Sequence, residues 1–147
     1  MMEEMRVHIG DKATFSKTVS ESDVYLFAGL TGDLAPNHVN EEVMQRSRWG
    51  RRMVHGALLV GFMSAASSMV ASPTITPDAT ETPVSAGYDH IRFIAPVFFG
   101  DTVTVSFCVA EVDPVKRQAK ADVQVTARGG ELVAVATAIL RWVPNPK

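Results

Sequence analysis

Asp33 and His38 stand five residues apart in the run Gly32-Asp33-Leu34-Ala35-Pro36-Asn37-His38. A carboxylate and an imidazole beside one water can take a proton from that water as its oxygen attacks and return a proton elsewhere. Pro36 pins its own φ and pushes Ala35 out of the helical region, so the segment reads as a turn able to bring both side chains to one side. Spacing alone leaves the plainer reading open, local backbone hydrogen bonding in a turn.

A second chemical element is His55-Gly56. It opens the apolar run from Ala57 to Val70, inside the longest uncharged stretch of the chain, Met53 to Pro77. A glycine at a helix N-terminus offers a free amide, favoured by the helix dipole, to any group that develops negative charge. Without a Cβ it also permits close approach. Helix-to-sheet packing would want a small residue there as well. His55, just before it, reads as a positioning residue, and Ser64 as either a supporting group or a structural serine on a crowded helix. Arg46, Arg48, Arg51 and Arg52 are four of the fourteen cationic residues, set within seven positions around Trp49 and Gly50. Such a loop either meets phosphate oxygens or is simply solvated. Four scattered histidines and the single Cys108 show no metal-ligand spacing. His90 reads as a half-exposed strand residue sharing a face with Tyr88 and Arg92, and Cys108 lies on the polar face of its strand without a partner that would make it a nucleophile.

The elements that must carry these groups follow from periodicity. Asp11 to Val19 reads as a strand. Ser20 with Asp23 three residues on is a capping-box pattern, and Val24, Phe27 and Ala28 give the following helix its apolar face, stopped by Gly32. Asn40 can cap a short helix over Glu41 to Ser47. The run after Gly56 is long enough for four or more helical turns and apolar nearly all round, so it is either wrapped by other structure or set in lipid. The strands that follow need something to cover, which favours the wrapped helix. Ser72 to Pro83, with three prolines, reads as an irregular flap. Strands are expected over Ser85 to Ile94, Thr102 to Val112, then from Ala119 to Ala127. A two-residue hairpin at Gly129-Gly130 leads to a last strand, Glu131 to Val143, that is apolar on both faces and is therefore expected to be central or covered on both sides.

The chain of 147 residues is 46% hydrophobic and 20% charged, as expected of one globular domain over residues 1–147. A net charge of −2 argues against nucleic acid as the main partner. One cysteine excludes an intrachain disulfide. Met1 to Arg6 lacks the apolar core of a signal peptide, so a cytoplasmic location is expected, away from any membrane.

These motifs resemble the MaoC-type dehydratases, the family of (R)-specific enoyl-CoA hydratases. The resemblance rests on Gly32 to His38, on Val54-His55-Gly56, and on Arg92-Phe93, Pro96-Val97 and Gly100-Asp101-Thr102. It covers nearly the whole length, with one departure: Ala35 stands where the family usually has Asn. It implies an α+β hot-dog fold, an antiparallel five-stranded sheet wrapped around a long central helix. It also implies reversible hydration of a trans-2-enoyl-CoA to an (R)-3-hydroxyacyl-CoA, with no cofactor. Asp33 and His38 would activate one water together, and Gly56 would stabilise the thioester oxyanion. His55, Ser64, Leu59, Arg51 and Arg52 would meet the substrate, carried on coenzyme A or on acyl carrier protein. Leu59, Phe62, Met63 and the Ser72–Pro83 flap would shape the acyl pocket. Hot-dog relatives hide an exposed strand edge by pairing two copies, so a homodimer or higher multiple is expected. Two other readings stay open: an acyl-CoA thioesterase using a carboxylate and a helix-terminal amide, and a non-catalytic acyl-thioester binding subunit.

Overall fold

The amino-terminal half alternates one strand with helices whose ends are set by local side chains. In the computed structural model, which describes residues 4–146, strand β1 (Lys12–Thr18) leads into helix α1 (Glu21–Thr31). The capping box at Ser20 forms in both directions. The Ser20 amide donates to Asp23 Oδ2 at 2.9 Å, and the Asp23 amide donates to Ser20 Oγ at 3.1 Å. That backbone donor, with lesser help from Lys17, holds the Asp23 carboxyl below its ordinary range. Gly32 ends α1 in the left-handed region at φ 81°, where its amide caps the Ala28 carbonyl. Of the expected apolar face, Val24 and Ala28 are buried and Phe27 is half-buried.

Two one-turn elements follow, α2 (Pro36–Val39) and α3 (Glu41–Gln45). The expected turn around Pro36 is thus a helical turn, because proline at the first helical position needs no amide partner there. Asn40 caps α3 as expected, its side chain accepting from the Val43 amide at 3.1 Å.

Helix α4 (Gly56–Ala71) is the long apolar helix, extended by a 3₁₀ turn at Ser72–Thr74. By length and composition this stretch could cross a membrane, but it lies against the sheet. Leu59, Phe62, Met63, Ala66, Ser67 and Ala71 are buried. Its opposite face, with Ala57, Gly61, Ser64, Ser68 and Met69, is exposed. The sheet wraps this helix on one side, as expected, and the small residues mark the other.

The four late strands form as expected: β2 (Glu81–Phe93), β3 (Thr102–Asp113), β4 (Gln118–Ala127) and β5 (Glu131–Pro144). All pairs are antiparallel, in the order β1-β3-β4-β5-β2. Val103, Val105, Phe107 and Val109 of β3 are buried on the inner face, with Ala119 to Ala127 in alternate positions of β4. β5 is flanked on both sides, as its sequence required. Phe62 of α4 meets Phe15 of β1, ring centroids 6.0 Å apart.

Three details differ from the sequence reading. β2 starts at Glu81 and tolerates Pro83, because an edge strand has no outer neighbour that needs the missing N–H. Its pairing with β5 slips between Ser85 and Gly87 and between Asp89 and Arg92, and His90 takes φ 53° at the second slip. His90 therefore sits in a bulge, and the alternation that would align it with Tyr88 and Arg92 is broken. The hairpin before β5 has three loop residues rather than two, since Ala127 still pairs with Glu131. Arg128 accepts φ 42° there because its guanidinium is anchored on Asp101, on Glu131 and on the Pro96 carbonyl.

Candidate active site

Asp33 leaves the C-cap of α1, and His38 follows on α2. The Asp33 Oδ1 accepts from the Ala35 amide at 3.3 Å, so the local hydrogen bonding foreseen for a turn is present as well. Its side chain is half-exposed, with relative accessibility 50%. His38 is buried. Its Nδ1 lies 2.8 Å from the Met53 carbonyl oxygen. A carbonyl only accepts, so Nδ1 carries the proton and neutral His38 keeps Nε2 as a bare acceptor. Burial holds the His38 imidazole below its ordinary value of 6.5, and the neighbouring His55 adds to this; the Met53 carbonyl and Asp33 act in the other direction.

His55 is almost fully buried, at 1% accessibility, as the residue before α4. It stacks on His38 with ring centroids 3.7 Å apart and planes 21° from parallel. Phe27 of α1 meets it edge-on at 4.8 Å. His55 Nε2 donates to the Asp33 carbonyl oxygen at 3.0 Å, and its Nδ1 has no partner among the described residues. It therefore braces both members of the pair, which agrees with a positioning part. Asp33, His38 and His55 each bring one donor atom within 4.8 Å of the others. That cluster is poorly shaped for a metal ion. Near-parallel stacked rings direct their in-plane lone pairs side by side rather than at one point, and one nitrogen of each ring is committed to a carbonyl.

Gly56 is the first residue of α4, so its amide has no acceptor within the helix. A Cβ built there would stand 2.7 Å from the Phe93 ring. The glycine thus accommodates a side chain from the end of β2. Around it runs a cleft of about 370 Å³, lined by Asn37, His38, Trp49, Met53, Gly56, Leu59 and the 93–97 segment among others. Sequence reasoning singled out Asp33, His38, Gly56 and Leu59; the last three line this cleft, and Asp33 lies beside His38. It missed the Met53 carbonyl, which no residue type announces. It also missed Phe93 as the lid over Gly56, although Arg92-Phe93 stood out as part of the resemblance.

The remaining expectations fall elsewhere. Ser64 is exposed on the outer face of α4, beside the Tyr88 hydroxyl and away from the cleft lining. Phe62 and Met63 are core residues against the sheet. The Ser72–Pro83 flap does not line the cleft; Thr74, Ala79, Thr80 and Glu81 border a small notch with Arg6 and Trp142. Arg51 is exposed and lies over the Phe98 ring at 3.9 Å. Arg52 is mostly buried and held by Glu21 at 2.7 Å and Glu41 at 2.5 Å. Its guanidinium is thus engaged by two carboxylates of the chain itself.

Comparison with known proteins gives consistent relatives. The family profile described as "MaoC like domain" matches residues 6–130. The (R)-specific enoyl-CoA hydratase of Rhodospirillum rubrum is 41% identical over 108 residues, covering 74% of this chain and 69% of that protein. The 3-hydroxybutyryl-CoA dehydratase of Methylorubrum extorquens is 34% identical over 126 residues, covering 82% of this chain and 75% of that one. Among solved structures, the (R)-hydratase from A. caviae superposes with TM-score 0.81 at 26% identity, over 94% of this chain and 98% of that one. The overlay bears out the hot-dog fold expected from the sequence.

Proposed function

This chain belongs to the MaoC-like domain family, and on that premise we propose that it is a hydro-lyase adding water reversibly to trans-2-enoyl-CoA to give an (R)-3-hydroxyacyl-CoA. The observation that carries the reading is the single free ring nitrogen of His38. The Met53 carbonyl occupies Nδ1, which leaves Nε2 to work with the Asp33 carboxylate. A water held between them gives up a proton as its oxygen bonds to C3 of the enoyl group. The electron pair of the C2–C3 double bond shifts toward the thioester, whose oxygen becomes negative. The free amide of Gly56 is the donor for that oxygen. The proton then passes to C2, and the carbon–sulfur bond is untouched. Asp33 and His38 act as one proton-transferring unit.

In this reading Leu59, Trp49 and Phe93 contact the substrate, and His55 holds the pair in register. Ser64 reaches substrate only if a second subunit closes its exposed face. Arg51 serves the phosphates of coenzyme A, or the acidic surface of an acyl carrier protein. The chain acts as one domain in the cytoplasm, needs no cofactor, and assembles as a homodimer. The free outer edge of β2 and the exposed small-residue face of α4 both support that assembly.

A hydration assay with crotonyl-CoA and longer 2-enoyl-CoAs tests the proposal. Loss of enoyl-thioester absorbance is expected for wild type, with Asp33→Ala and His38→Ala each slower by roughly 10² or more. Release of free thiol instead would make the chain a thioesterase. Ligand binding with neither signal would make it a binding subunit, in which Ala35 marks lost chemistry.

A further inference from the structure

We propose that Arg52 is a positioning residue for the hydration step, acting on His38 through the Met53 carbonyl, and that it takes no part in holding coenzyme A. The inference rests on the hydratase reading for its kinetic part and on geometry for the rest.

Arg52 is adjacent in sequence to the residue whose backbone orients His38. Its Nε donates to Glu41 Oε2 at 2.5 Å, and its Nη1 lies 2.7 Å from Glu21 Oε1 and donates to the Tyr25 hydroxyl. Its plane also lies over the rings of Tyr25 and Phe99. With a side-chain accessibility of 14%, it ties three elements to one point. Glu21 and Tyr25 belong to α1, Glu41 opens α3 three residues after His38, and Phe99 belongs to the segment before β3.

Met53, next along, is stitched on both sides. Its amide donates to the Asn37 carbonyl at 2.9 Å, its carbonyl accepts from His38, and the Val54 amide donates to the Val97 carbonyl at 2.8 Å. The Met53 carbonyl can select the His38 tautomer only while α2 and the 52–54 segment keep their spacing. Arg52 fixes that spacing by joining the start of α3 to the segment's own backbone. Removing the cation leaves Glu21 and Glu41 facing each other without neutralisation, which pushes α1 and α3 apart.

The test compares Arg52→Gln, Arg52→Lys and Arg51→Ala with wild type, on crotonyl-CoA and on crotonyl-pantetheine, which lacks the nucleotide and its phosphates. Imidazole ¹⁵N shifts of His38 are read alongside. Arg52→Gln should lower kcat by roughly tenfold to a hundredfold on both substrates with KM little changed. The His38 shifts should move from the Nδ1–H tautomer toward the Nε2–H tautomer, and Arg52→Lys should recover part of both effects. A KM raised for crotonyl-CoA but not for crotonyl-pantetheine would return Arg52 to phosphate binding and overturn the proposal. A lower melting temperature with unchanged kcat and His38 shifts would reduce Arg52 to a structural role, which also overturns it. If wild type hydrates neither substrate, the hydratase reading fails, and the His38 shifts alone still decide whether Arg52 sets the tautomer.

Discussion

His38 and Gly56 each owe their reactivity to a neighbour that is not itself reactive. His38 must be neutral to accept a proton, and burial holds its pKa below 6.5, with Asp33 and His55 the titratable groups that face it. The acid limb of a kcat/KM profile is therefore expected below pH 6.5, and His38→Gln should abolish that limb together with most of the rate. Stability follows the same sign. A folded-state pKa lowered relative to the unfolded chain leaves stability intact above pH 6.5, and it is lost as pH falls through the lowered value. Urea titrations at stepped pH, wild type beside His38→Gln, read this directly: the variant should lose less stability on acidification. At Gly56 the prediction separates packing from chemistry. Alanine suits a first helical turn, and Phe93, more than half exposed, can swing away from a new Cβ. Gly56→Ala should keep its melting temperature but slow turnover by roughly tenfold or more, since the methyl group displaces the Phe93 ring that packs beside the amide offered to the thioester oxygen.

The elements divide by how locally they are determined. The capping box of α1 was legible because Ser20 and Asp23 are three residues apart and satisfy each other's amides, whatever the rest of the chain does. Ser20→Ala should cost about 1 kcal/mol in a urea melt. The β3 and β4 alternation was legible because one face of each is buried without interruption. The β2 edge was not. Its start at Glu81, the Pro83 it tolerates and the His90 bulge depend on pairing with β5, some fifty residues away along the chain. The site shows the same division. Asp33, His38 and Gly56 stand out by residue type and by resemblance. The parts that aim them do not: the Met53 carbonyl looks like any other carbonyl, and the ion-paired state of Arg52 needs two carboxylates from separate helices. An arginine in a basic loop resembles a phosphate ligand until its partners are known.

At the scale of the whole molecule, one sheet leaves one face of a long helix uncovered. The outer face of α4 carries small residues with Met69, and among the described residues the thirteen-residue β2 has no outer neighbour. A second copy would cover both. Sedimentation at micromolar concentration should give twice the 15.9 kDa of the chain or a higher multiple. A strictly monomeric mass would remove the homodimer from the reading, and with it any contact between Ser64 and substrate.

The hold on His38 comes from a main-chain oxygen, and that decides what variation the site can bear. Every amino acid supplies a carbonyl, so position 53 can change its side chain without disturbing the imidazole. Selection on the tautomer therefore acts at position 53 on its place in the chain between α3 and α4 rather than on its side chain. Deleting one residue between Trp49 and Arg52 should silence the enzyme, whereas Met53→Leu should leave the tautomer as it was. A record of tolerated substitutions alone would pass over one of the most consequential atoms in the cleft.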